Sequence, residues 1–321
     1  MTLVLCRCAE PLVRPNERAK QSGLKRQNTV GLGHMEIPGI IRVVEPEGSL
    51  APLVVDVPHA GRTYPTDFRY SCPYPLLRQA EDAYVDELVS GAPSLGIPLV
   101  AALFPRSLID VNRAIDDLDP ALVDGVWPEP LQPSDRTLQG LGLIRRLCRG
   151  GVPMYEAPLK LAEIDQRIRQ FYAPYHHHLA RRLSKTQQHH GEVWLINCHS
   201  MPSRGIEDRG GNTKRADFVL GDRDGSSCPA FFVQQAASIL RELGYSVAIN
   251  DPYKGMEILR RHGQPQRQSY ALQLEINRGL YLNEEKVERS PGITQLTQDL
   301  TRFLARMITV LSHQAIDRAA E

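Results

Sequence analysis

Short apolar runs that stop abruptly at polar clusters recur along this chain. Val54–Arg62 reads VVDVPHAGR: a buried strand breaks at Pro58 and delivers His59 and Arg62 into a Gly/Pro-bounded loop. Val193–Ser200, VWLINCHS, ends in Asn197, His199 and Ser200. Tyr270–Arg278, YALQLEINR, ends in Glu275, Asn277 and Arg278, and Phe104–Arg113, FPRSLIDVNR, ends in Asp110, Asn112 and Arg113. Read as four strands, these segments carry two histidines, acids and arginines at their ends, where open α/β sheets bind ligands. Ile40–Val44, the continuous apolar run Pro98–Phe104, Asp217–Gly221 and Ser246–Asn250 read as further strands.

Helical periodicity fills the gaps. Leu161–Gln188 repeats apolar residues every three or four positions, with a kink expected at Pro174. Leu76–Leu95, Pro229–Leu243 (closed by Gly244) and Gln295–His313 follow the same pattern. Residues 114–150 break it. They are rich in Asp and Pro, carry Gly140 and Gly142 before Arg145 and Arg146, and read as a surface excursion that could close over a site. The alternation from about residue 40 onward predicts one three-layer α/β/α domain over 35–321 with a mixed, mostly parallel sheet. Residues 1–34 lack periodicity and read as a poorly ordered arm, with Met35 a candidate start of the globular part.

Composition narrows the classes. The 321 residues suffice for a sizeable core, and a net charge of +1 without long runs of one sign argues against a nucleic-acid partner. No apolar run reaches membrane-spanning length. The six cysteines form no C-x-x-C pair and read as reduced thiols of a cytoplasmic protein. The pattern does not specify an oligomeric state.

Two imidazoles and a carboxylate are the usual ligands of a catalytic zinc ion, which keeps one position for water. His59 and His199 supply the first two, and Asp82 or Glu81 the third. Glu275, an acid at a strand end, suits the proton shuttle between metal-activated water and a leaving amine. Arg62, Arg113 and Arg278 near such a site imply a small anionic substrate. Of the consecutive His176, His177 and His178, only His176 shares the apolar stripe of its helix and is a candidate to face the site.

Eight motifs in order across roughly residues 40–310 resemble the N-formylglutamate amidohydrolase family: PHAGRTYP, EDAYVDEL, RSLIDVNR, PYHHHL, NCHSMPS, DFVLGDRDGSSC, NDPYKG and LQLEINRGLYL. The resemblance implies a zinc-carboxypeptidase-like (phosphorylase/hydrolase-like) fold and hydrolysis of N-formyl-L-glutamate to formate and L-glutamate. It implies His59, Asp82 and His199 as ligands of one Zn2+ ion, with Asp82 preferred over Glu81. Glu275 would be the general base and then acid, and Asn112 and Arg113 would hold a substrate carboxylate. From the residue pattern itself, Arg62 is a candidate to assist at the oxyanion, and Arg278 and His176 are candidate substrate contacts. The chain departs from the pattern twice. Val57-Pro58-His59-Ala60-Gly61 stands where members often read Ser-Pro-His-Ser-Gly, and Met256 follows Gly255 where a second glycine is common. The rival readings are a carboxypeptidase or peptidoglycan amidase on the same scaffold, and a non-catalytic ligand-binding relative. Peptide substrates separate the first from a small-substrate enzyme, and metal analysis the second.

Overall fold

The computed structural model describes residues 34–204 and 215–320. The chain divides into Met1–Gly31 and Leu32–Glu321. Residues 1–33 of the expected arm, with Cys6 and Cys8, lie outside the described residues, as does most of the Gly-rich loop after Ser203, while His34, the last residue assigned to the arm, already belongs to a strand.

Among the described residues, eight strands form the central sheet: β1 (His34–Ile37), β2 (Ile41–Val44), β3 (Leu53–Val57), β4 (Leu99–Ala102), β5 (Val193–Met201), β6 (Phe218–Gly221), β7 (Val247–Ile249) and β8 (Ser269–Asn277). Their order is β1-β2-β4-β3-β5-β8-β6-β7. The four central strands, β4, β3, β5 and β8, run parallel, while β1, β2 and the β8–β6 pairing are antiparallel. The sheet is therefore mixed and mostly parallel. Among the described residues, no helix is long and apolar enough to cross a membrane.

Strand alternation decides what lies on each face. On β5, Trp194, Ile196 and Cys198 join an apolar cluster with Leu272 and Leu274 of β8. The helices α3 (Ala230–Glu242) and α4 (Gly292–Ala320) cover that face through residues such as Phe232 and Phe303. The intervening residues point to the other face. There Val54, Val193, Leu195 and Ala271 pack under Tyr175, Leu179 and Leu183 of α2 (Ala173–His190). Further along the same three strands this second face turns polar: Asp56, Asn197, His199, Gln273 and Glu275 are all buried. The carboxyl ends of the central strands thus present a polar floor on one side of the sheet only.

Three elements differ from the sequence expectation. Leu76–Leu95 is not one helix: Tyr74–Arg78 and Val85–Leu88 are helical and the chain between them is not. The break frees the carbonyls of Gln79 and Glu81 to accept from Arg278, and it turns Asp82 inward. Phe104–Arg113 is a series of turns beyond the end of β4, not a strand. The Pro174 kink is a π-helical turn over Ile168–Tyr172, between α1 (Leu161–Arg167) and α2. Proline lacks the N–H needed for the regular ladder, and a shift in register upstream absorbs the loss.

Residues 114–150 are folded against the body. Leu118, Leu122, Leu143 and Ile144 join the core beneath α2. Asp117 ties the segment together, accepting from the Ser134 backbone N–H (2.7 Å) and from the Thr137 hydroxyl.

Candidate active site

His59 leaves the end of β3, and Gly61 makes its approach possible. A Cβ at Gly61 would lie 2.1 Å from the Phe104 carbonyl oxygen, so only glycine lets this turn pack on the chain after β4. The Asp82 backbone N–H donates to the His59 carbonyl (3.0 Å), which fixes the two loops to each other. His199 reaches the same point from β5, one strand over.

The result is a triangle of three ligand atoms. His59 Nδ1 and His199 Nδ1 are 3.1 Å apart, and Asp82 Oδ2 lies 3.3 Å from the first and 3.1 Å from the second. Each outer nitrogen faces an acceptor: His59 Nε2 is 2.7 Å from Asp110 Oδ1, and His199 Nε2 is 2.8 Å from Asn197 Oδ1. Asn197 is itself oriented, because its amide nitrogen donates to both oxygens of Asp56. Protons on both Nε2 atoms leave both Nδ1 lone pairs and a carboxylate oxygen converging on one spot. Such an arrangement needs positive charge at its centre. A tetrahedral zinc site with bonds of ~2.0–2.1 Å has neighbouring ligands about 3.3 Å apart, close to the edges found. Outward hydrogen bonds of this kind are also what orients metal-binding histidines. The triad therefore fits a divalent ion.

Charge supports the arrangement. Burial would raise the Asp82 carboxyl, but hydrogen bonds from His199 and His59 and the charge of Arg106 hold it well below the usual carboxylate range. Burial likewise opposes ionisation of Asp110, and Arg106 and His59 outweigh it. Asp82 Oδ1 accepts from Ser200 Oγ (3.3 Å) and Arg278 (3.1 Å), leaving Oδ2 for the triad. Glu275 lies opposite His199 in the β8–β5 register, buried, with Gln273 donating to it at 2.9 Å. Burial pushes its carboxyl up, against the pull of His199.

A cavity of about 660 Å³ opens over this floor. It is lined by His199, Glu275, Asn112, Arg113 and Arg278, among others. Its size is that of a small-molecule site.

Several sequence expectations are placed differently. Glu81 turns away to accept from Tyr64 Oη at 2.7 Å, so the choice between Glu81 and Asp82 falls to Asp82. Arg62 is not brought to the cavity. It pairs with Asp86 (3.2 Å) and Glu87 and lies over the Tyr84 ring. His176 is also absent from the cavity lining. Its Nε2 is 2.9 Å from the Val111 carbonyl, where it supports the loop that carries Asn112 and Arg113. Asn112 lines the cavity, but its Oδ1 accepts from the Ile258 N–H (2.9 Å) and its Nδ2 lies 3.2 Å from His199 Nε2. Arg278 grips Asp82, Ser200 and two carbonyls, which makes it a clamp on the triad. The sequence reading missed Arg106 and assigned no role to Asp110. Arg106 lines the cavity and donates to Asp110 Oδ2 (2.7 Å), the carboxylate that orients His59. Both sit four residues apart in the RSLIDVNR motif, whose turns bring them together.

A family model described as N-formylglutamate amidohydrolase matches residues 51–282. An N-formylglutamate deformylase of Pseudomonas putida is 29% identical over 266 residues, covering 80% of this chain and 92% of its own. One from Pseudomonas aeruginosa is 30% identical over 243 residues, covering 73% and 83%. Among solved structures, the N-formylglutamate amidohydrolase of Ralstonia eutropha JMP134 aligns with a TM-score of 0.83 and 41% identity, over 86% of this chain and 99% of that one. A gene product of Agrobacterium tumefaciens aligns with a TM-score of 0.62 at 16% identity, over 85% of this chain and 96% of that one, a likeness of fold.

Proposed function

The chain belongs to the N-formylglutamate amidohydrolase family, and from that premise we propose that it hydrolyses N-formyl-L-glutamate to formate and L-glutamate with one zinc ion held by His59, Asp82 and His199. The observation that carries the reading is the triangle of two Nδ1 atoms and one carboxylate oxygen with edges of 3.1–3.3 Å, with Glu275 in register beside it.

A divalent ion bound there would polarise the formyl carbonyl and acidify a water. The chain's own residues do the rest. Glu275, its affinity for a proton raised by burial, takes the proton of the attacking water and passes it to the departing amine. Arg106 and Arg278 are both guanidiniums beside the triad that line the cavity; Arg278 is engaged by Asp82, Ser200 and two carbonyls, and Arg106 takes the oxyanion role expected of Arg62. Arg113 faces the cavity from the loop whose Asn112 touches His199, and it holds the substrate's α-carboxylate. Asn112, Arg278 and His176 position these groups.

The test is formate release from N-formyl-L-glutamate by purified protein, before and after removal of metal with a chelator, and again after zinc is restored. The reading predicts turnover that disappears and returns. Turnover indifferent to chelation would refute the metal assignment, and cleavage of peptides in place of N-formylglutamate would favour a peptidase.

A further inference from the structure

The cavity wall facing the triad carries more positive charge than its neighbours neutralise. Arg106 is paired with Asp110, Arg113 with Asp117, Arg278 with Asp82 and Lys254 with Asp224. Arg136, Arg145 and Arg149 also line the cavity and have no ion pair among the described residues; Arg136 and Arg149 are exposed, whereas the Arg145 Nε is buried without a hydrogen-bond partner. Burial, and then the charge of Arg106, push its guanidinium down to about 9. An arginine held in that way lacks an anion.

Its position is fixed by the backbone. The Asp110 N–H donates to the Leu143 carbonyl and the Leu143 N–H to the Asp117 carbonyl, both at 2.8 Å. These bonds clamp the strip that bears Arg145 behind the loop that bears Asn112 and Arg113. Ile144, fully buried, anchors the strip in the core. His199, Asn112, Arg113 and Arg145 thus line one cavity, with Arg145 on a separate strip from Asn112 and Arg113.

We propose that Arg145 binds the side-chain carboxylate of the substrate, so that residues 114–150 supply the subsite that selects N-acyl dicarboxylic amino acids over monocarboxylic ones. This rests on the amidohydrolase reading for the identity of the substrate. The chemistry is general: two guanidiniums on separate segments of one cavity, Arg113 and Arg145, match two carboxylates at the two ends of a short chain, and a neutral amide in place of the second carboxylate leaves Arg145 unpaired.

The experiment measures binding and turnover separately in wild type, Arg145→Met and Arg145→Lys, with folding checked by thermal melting. Glutarate and its mono-amide are titrated by calorimetry, and N-formylglutamate and N-formylglutamine are compared as substrates. Loss of one charge-assisted pair predicts that Arg145→Met weakens glutarate binding and raises KM for N-formylglutamate about 10- to 100-fold, with little change for the two amides. Arg145→Lys, which keeps the charge without the fork, falls between. Equal losses for acid and amide, or no loss for either, overturn the proposal. Wild type that binds glutarate through Arg145 but releases no formate from N-formylglutamate would refute the hydrolase reading and leave the subsite standing.

Discussion

The two faces of the sheet are built from the same strands by the same alternation, and they end differently. Beneath α3 and α4 the inward residues stay apolar from Trp194 to Cys198 on β5 and from Tyr270 to Ile276 on β8, until the polar Ser200 near the end of β5. Beneath α2 they are apolar only for the first half, and then become Asn197, His199, Gln273 and Glu275. One face is a core that asks only for volume and apolarity. The other joins a core to a buried polar network in which each group is held by the next: Tyr175 to Asp56, Asp56 to Asn197, Asn197 to His199. Substitutions on the first face should therefore act on stability, and those on the second on chemistry.

The sharpest break in that contrast is Glu275→Gln. It keeps the size of the side chain and removes the proposed base, and kcat should fall about 10²- to 10⁴-fold with bound metal unchanged. Steady-state kinetics with metal analysis on one preparation checks this, and unimpaired turnover would remove Glu275 from the mechanism. On the apolar face, Phe303→Ala deletes a fully buried ring. It should cost about 3–5 kcal/mol of unfolding free energy in urea titrations while kcat of the folded fraction stays the same. A matching loss of kcat would mean that the two faces are coupled. Asp110→Asn tests the support of the triad: it weakens the acceptor at His59 Nε2, and metal affinity should drop about 10- to 100-fold.

The smallest effect concerns the network behind His199. Burial pushes the Asp56 carboxyl up to about 6, despite hydrogen bonds from Tyr175 and Asn197. The folded chain then holds this proton more tightly than the unfolded one. The stabilisation is complete below about pH 4 and is lost as pH rises through 6. Metal-free wild type should lose about 1–2 kcal/mol relative to Asp56→Asn between pH 5 and 7.5. Parallel urea titrations at the two pH values would show it, and an unchanged difference would mean that Asp56 is ordinary.

Much of the fold was legible because alternation and helical period are local. The runs ending in His59, His199 and Glu275 announce central strands, and the stripe around Leu179 and Leu183 announces α2. The π turn before Pro174 was visible only as a kink, since a pattern of apolar positions does not reveal hydrogen-bond register. The split of Leu76–Leu95 was hidden for another reason: helical spacing persists through it, and the break is imposed by Arg278, almost 200 positions away in sequence. The same limit governs the arginines. Arg62 and Arg106 both follow strand ends, yet a contact 24 residues away sends Arg62 to Asp86 while local turns send Arg106 to Asp110. Histidines and acids that share one sheet face could be grouped from strand parity. Loop side chains have no parity to read.

The central claim is that three side chains from separate segments hold one divalent ion. Metal content per chain should be measured on wild type, His59→Ala, Asp82→Ala and His199→Ala after dialysis against metal-free buffer. One zinc per wild-type chain and far less than one in each variant is the predicted result. A wild type that cannot be loaded with a divalent metal, or variants that keep a full equivalent, would contradict it.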